Sequence, residues 1–125
     1  MIGKIIISYF QYYNAQQSRM RFKKRPMLII GNADIEDYVA LPISKISDQT
    51  RIDGIYDIKV ESASYPNVSL NEAISYIRTH KQVIINKASI QTQIANLKTL
   101  YPDLFLNVME KVEQFQKEMI DKSLS

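Results

Sequence analysis

Arg19-Met20-Arg21-Phe22-Lys23-Lys24-Arg25-Pro26-Met27-Leu28-Ile29-Ile30 is a cationic run that passes through a proline into an apolar run. Proline is tolerated at a strand's first position, so Pro26 is expected to open a buried strand over 27–31. No acid balances the cations. From Met1 to Ile30 the basic residues are Lys4, Arg19, Arg21, Lys23, Lys24 and Arg25, and the first acid is Asp34. Such a segment beside a buried strand implies an anionic partner or a fully wetted surface. The net charge of +3 over 125 residues is too small to indicate nucleic acid by itself. The signal lies in the asymmetry, because the acids are spread over the rest of the chain.

Upstream, Lys4 to Phe10 is β-branched and aromatic, as a buried strand should be. The segment from Gln11 to Lys24 is polar and long enough to be a functional loop. It interleaves aromatic and cationic residues: Tyr12, Tyr13, Arg19, Arg21, Lys23 and Lys24, with Phe22 among them. That composition fits single-stranded RNA, whose bases stack on aromatic rings while cations follow the phosphates. It also fits a lid that orders on binding, or a mobile solvated loop.

Downstream, Gly31-Asn32-Ala33-Asp34 is a turn signal. Tyr38 to Ile43 reads as a third strand, with Pro42 marking an edge or a bulge. Ser44 to Gly54 reads as a loop, and Ile55 to Val60 alternates as a half-exposed strand does. Ser75–Thr79 and Gln82–Ile85 read as short strands about the polar turn His80-Lys81. Ile90, Ile94, Leu97 and Leu100 recur at helical spacing behind Ser89, a candidate N-cap. Pro102 then suits the first position of a second helix, whose stripe is Phe105, Val108, Met109, Val112, Phe115 and Met119. Strands followed by helices predict an α+β chain, a small β-barrel with C-terminal helices, in a single domain over residues 1–125.

With no cysteine there are no disulfides, thiolate nucleophiles or Cys-based zinc sites. One histidine and no carboxylate cluster at ligand spacing predict no metal and no cofactor. The apolar run at Ile5-Ile6-Ile7 is too short for a membrane span or a signal peptide, so a cytoplasmic protein with no membrane association is expected.

Several of these segments, in this order, resemble the MazF/PemK toxins of type II toxin–antitoxin systems. Lys24-Arg25-Pro26-Met27-Leu28-Ile29-Ile30 is similar to that family's arginine–proline strand. Gly3-Lys4-Ile5-Ile6-Ile7 resembles its first strand, Leu41-Pro42-Ile43-Ser44 its third strand end, and Ile77-Arg78-Thr79 its "IRT" segment. The resemblance implies an SH3-like β-barrel with C-terminal helices, a homodimer, and a metal-independent endoribonuclease that cuts single-stranded RNA. It implies a cognate antitoxin protein as partner. It also implies that Arg25, Ser44, Arg78 and Thr79 occupy the catalytic positions. The PemK branch places an arginine and an aspartate just upstream of the last motif; Ala73 and Ser75 stand at those positions here. The first-loop histidine of that branch is absent as well.

Metal-free RNA cleavage needs an activated 2′-hydroxyl, a stabilised phosphorane and a protonated leaving oxygen. Arg25 suits the second role, because a guanidinium fork donates two hydrogen bonds to phosphate and stays charged. Its alternative is a surface arginine lying over apolar residues. Ser44 is a poor base unaided and is expected to orient the substrate, or else to satisfy its own strand end. His80 titrates near neutrality and is the candidate acid or base, or a solvated turn residue. Arg78 is expected to bind phosphate or to hold the turn against an acid. The competing readings are a non-catalytic protein of the same fold that binds gyrase, nucleic acid or antitoxin, and a plain interaction module.

Overall fold

The structure, a computed structural model, describes the backbone of residues 1–125 and the side chains of all but Phe10 and Tyr12. Two long strands form its spine, β1 (Lys4–Asn14) and β2 (Arg19–Asn32). They pair antiparallel from Ile5–Leu28 out to Asn14–Arg19. β3 (Asp37–Ser44) returns along the inner half of β2. β4 (Asp57–Glu61) pairs with β5 (Ile74–Arg78), and β5 with the end of β3. β6 (Val83–Asn86) pairs with the start of β3, and β7 (Ile90–Asn96) crosses back to β1. The order β4-β5-β3-β2-β1-β7, with β6 beside β3, curls into an antiparallel half-barrel. A one-turn helix α1 (Leu97–Leu100) and a long helix α2 (Pro102–Leu124) follow, giving an α+β chain.

The apolar runs are continuous because the central strands are buried on both faces. Successive side chains of a strand point to opposite sides. Ile5, Leu28, Leu41, Ile43 and Ile77 pack on one side with Leu104, Phe105, Val108 and Val112 of α2. Ile6, Met27, Ile29 and Ala40 pack on the other with Tyr38 and Ile85. Pro102 opens α2 and Asp103 complements the positive end of its dipole. Toward the C-terminus the stripe rises out of the core: Phe115 is half-buried and Met119 is exposed.

Four expectations change. The polar segment from Gln11 to Lys24 is not a loop but an extension of the β1–β2 ladder, closed by a turn over residues 15–18. It reads as loop because both faces of the ribbon meet solvent, so no residue needs to be aliphatic. Pro26 lies inside β2, not at its start. Pairing with β3 begins only at Met27, so a missing N–H at 26 interrupts no β2–β3 ladder. Residues 90–96 are strand β7, not helix. The spacing of Ile90, Ile94 and Leu97 fits both, and pairing to β1 decides for strand. Ser89 does not cap a helix; it meets the buried Ser8 hydroxyl at 2.9 Å and fixes the 3-10 turn Lys87–Ser89 between β6 and β7.

Pro42 sits where β3 changes its outer neighbour, between the β6 pairing at Ala40 and the β5 pairing at Ile43. Gly3 joins the sheet to the helices. Its N–H donates to the Ile29 carbonyl at 2.8 Å and its own carbonyl accepts from Leu97 N–H at 2.8 Å. It holds φ +92°, and a Cβ there would lie 2.4 Å from Lys98 Cβ. Gly3→Ala is therefore expected to lower stability by about 1–3 kcal/mol, whereas Gly54→Ala, with open space around it, changes it little. Urea unfolding midpoints of the two variants test this.

Candidate functional site

Beyond the Tyr9–Lys24 pair, β1 and β2 have no neighbour but each other. The resulting arm is two-faced by strand alternation. One face carries Tyr9, Tyr13, Met20 and Phe22, all exposed, with Phe22 at 69% and Tyr13 at 60%. Tyr9 and Phe22 meet edge to face at 6.4 Å, and Lys24 Nζ lies 5.9 Å from the Tyr9 ring centre. The other face carries Arg19, Arg21 and Lys23. Gln17 Oε1 accepts from Arg19 Nε at 3.2 Å and from Arg21 Nη1 at 2.6 Å. An amide holds these two cations together, and it leaves their charge intact. Tyr12, expected among the RNA-contacting residues, lies outside the described side chains.

The root of the arm opens into a groove of about 780 Å³. Ile7, Pro26, Ile43, Leu70 and Ile94 give it an apolar lining. Lys23, Lys24 and Arg25 enter from β2, Ser44 and Lys45 from the end of β3, and Ser75 from β5. Gln91 and Thr92 of β7 also line it. Strands β5 and β7 are far apart in sheet order, and only the curl of the sheet brings them to one groove. The loop after a 3-10 turn at Pro66–Val68 supplies Ser69, Leu70, Asn71 and Glu72. Ser69 adopts φ 60°, which turns that loop toward the groove. Glu72 is the one carboxylate among the described lining residues, and it lies 3.5 Å from Lys45 Nζ. Both side chains are about half exposed, so the pair stabilises the fold by less than about 1 kcal/mol.

Arg25 and Ser44 both line this groove. Arg78, Thr79 and His80 do not line it. Arg78 lies three residues beyond Ser75, about 10 Å along β5 and on the opposite face of the strand. Its Nε donates to Asp57 Oδ1 at 3.1 Å and its Nη2 to Asp57 Oδ2 at 3.3 Å. Of the two roles expected for Arg78, binding phosphate or holding the turn against an acid, the structure has the second: Asp57 takes the guanidinium because the two are cross-strand partners. Thr79 is fully buried and donates to the Tyr56 carbonyl at 2.6 Å, which suits a structural hydroxyl.

The Asp57 side chain is fully buried and also accepts from Asp53 N–H at 2.8 Å. His80 Nδ1 lies 3.8 Å from Asp57 Oδ1, with the ring near Tyr56 and Phe115. Tyr56 packs against Phe115, and its phenol donates to Glu118, so this cluster ties α2 to the β4–β5 end of the sheet. That bond pushes the Tyr56 phenol up to about 12. Burial pushes the His80 imidazole below its ordinary 6.5, against the opposing pull of Asp57 and Asp53. The Tyr56 N–H is the main group that holds the Asp53 carboxyl below its usual range.

The sequence alone missed Lys45, Ser69, Asn71, Glu72, Ser75, Gln91 and Thr92. Glu72 lies one residue before the position where a PemK-type arginine was sought, and no periodic pattern marks the loop that carries it. Among the described residues no set of three metal-ligating side chains is close enough to hold an ion, and no helix is long and apolar enough to cross a membrane. No protein-family model matches the chain, and no curated protein matches it.

Two outcomes are expected. Arg78→Ala leaves the Asp57 carboxylate buried without its cation and should cost about 3–5 kcal/mol in urea unfolding. For His80, the folded state disfavours the proton that the unfolded chain accepts near pH 6.5. Stability is then full above that pH and falls as the pH drops below it. Unfolding midpoints at pH 7.5, 6.5 and 5.5 should decline, and His80→Gln should flatten that decline.

Proposed function

We propose that the chain is an endoribonuclease of the MazF/PemK toxin type, acting without a metal on single-stranded RNA held along the β1–β2 arm and in the groove at its root. The observation that carries this reading is the shared groove of Arg25 and Ser44, at the foot of a ribbon with aromatic rings on one face and uncompensated cations on the other. Exposed rings suit unpaired bases, since every base has a face to stack. The cations Arg19, Arg21, Lys23, Lys24, Arg25 and Lys45 suit the phosphates that follow. The return of β7 onto β1 through a 3-10 turn supports an SH3-like reading of the half-barrel.

In the reaction the 2′-oxygen attacks the adjacent phosphorus and the bond to the 5′-oxygen breaks. The products are a 2′,3′-cyclic phosphate and a 5′-hydroxyl end. Arg25 donates to the non-bridging oxygens as charge builds on the phosphorane. Ser44 orients the phosphodiester by a hydrogen bond. Arg78, Thr79 and His80 act at a distance, by holding β4, β5 and α2 together. The homodimer, the antitoxin partner and a cytoplasmic location belong to the same proposal through the resemblance.

A second reading is a protein of this fold that binds RNA, gyrase or antitoxin without cutting. The observation that favours it is the place of His80, which sits with Asp57 and away from the groove. One assay separates the two. Purified protein with EDTA should convert a labelled single-stranded RNA to cyclic-phosphate fragments and leave the matching DNA intact. Arg25→Ala should stop cutting while far-ultraviolet circular dichroism stays unchanged. Persistent binding with intact RNA would favour the second reading. With all six cations engaged, the logarithm of affinity should fall with that of salt at a slope of about −4.

A further inference from the structure

The acid–base chemistry of the proposed reaction has no partner in the cluster around His80, which does not line the groove. The groove itself holds one carboxylate, Glu72, among its described lining residues. Its setting is unusual for an acid. Lys23, Lys24, Arg25 and Lys45 line the same space, and Lys45 Nζ is 3.5 Å from Glu72 Oε2. A protein that only needed to attract phosphate would gain nothing from an acid at that place, because like charges repel. The ion pair is too exposed to matter for folding. The loop that carries Glu72 is also pinned independently of the ion pair, since Ser62 Oγ donates to the Glu72 carbonyl at 2.6 Å and Ser62 N–H donates to the Ala73 carbonyl at 2.9 Å. The backbone thus fixes where the carboxylate enters, and the lysine holds it there.

We propose that Glu72 is the general base of the RNA cleavage reaction. This rests on the endoribonuclease reading given above. Glu72 takes the proton of the 2′-hydroxyl as its oxygen bonds to phosphorus. The bond from phosphorus to the 5′-oxygen breaks, and that oxygen takes a proton from water in the open groove. Glu72 then returns its proton to solvent, which its half-exposed side chain allows. Arg25 answers the charge on the phosphorane, and Lys45 holds the carboxylate in place between turnovers. The base thereby comes from the loop ahead of β5, and the guanidinium that stabilises the phosphorane from strand β2.

The test compares wild type, Glu72→Gln and Glu72→Asp on a fluorescein-labelled single-stranded RNA of mixed sequence, in EDTA. Binding is read by anisotropy, and cleavage by cyclic-phosphate product over a range of pH. Removing a general base should lower kcat about a hundredfold or more. Glu72→Gln is expected to show that loss, to bind as tightly as wild type or tighter, and to lose the rise of rate with pH on the acidic limb. Glu72→Asp is expected to restore part of the rate and the rise. Cleavage by Glu72→Gln at the wild-type rate overturns the assignment while leaving the nuclease reading in place. Parallel loss of binding and cleavage also overturns it, since the residue would then shape the groove instead of moving a proton. Wild-type protein that binds the RNA and never cuts it overturns both this assignment and the endoribonuclease reading.

Discussion

The antiparallel ladder between β1 and β2 is the interaction on which the rest of the molecule depends. At its inner end it is buried on both faces, so Ile5, Ile6, Leu28 and Ile29 each reach a core from adjacent positions. At its outer end the same ladder runs past the core into water. A ribbon of two strands is only marginally stable alone in water, and here the buried half anchors the exposed half. The transition from core to arm falls at Arg25 and Pro26. That is why a cationic side chain, a proline and the mouth of a groove coincide: the sheet loses its third strand at that point, and the space the strand would fill is left open.

The charged groups divide by how water reaches them. Asp57 and Arg78 are cross-strand partners with the carboxylate fully enclosed, so each needs the other and neither is free for a ligand. Lys45 and Glu72 stand half in solvent at the groove, where the ion pair adds little to stability and both groups can exchange partners. The same kinds of residue therefore do opposite things a few residues apart. Desolvation decides which, since removing one member of a buried pair strands a charge and removing one member of an exposed pair does not.

The legible part of the sequence was the part with one strong local reason. Met27 to Gly31 is strand because an apolar β-rich run between a proline and a turn has few alternatives. Pro102 and the stripe from Phe105 to Val112 read as helix for the same kind of reason. The failures share a cause too. Residues 11–24 meet water on both faces, so the large apolar side chains described there, Tyr13, Met20 and Phe22, stand among polar ones without the aliphatic run that marks a buried strand. Residues 90–96 carry an apolar spacing that a helix and a strand can both use, and the choice belongs to β1, more than eighty residues earlier in the chain.

Sequence alone determined the run of cations ahead of the first acid, Asp34, the absence of cysteine, the buried strand at Met27 to Gly31 and the amphipathic C-terminal helix. Each is a property of residues near one another along the chain. The tertiary structure alone decided that Arg25 and Ser44 share a groove with Glu72, and that Arg78 and His80 do not. That outcome follows from cross-strand register and from the curl of the sheet, which bring together or separate residues whose own sequence neighbourhoods look alike.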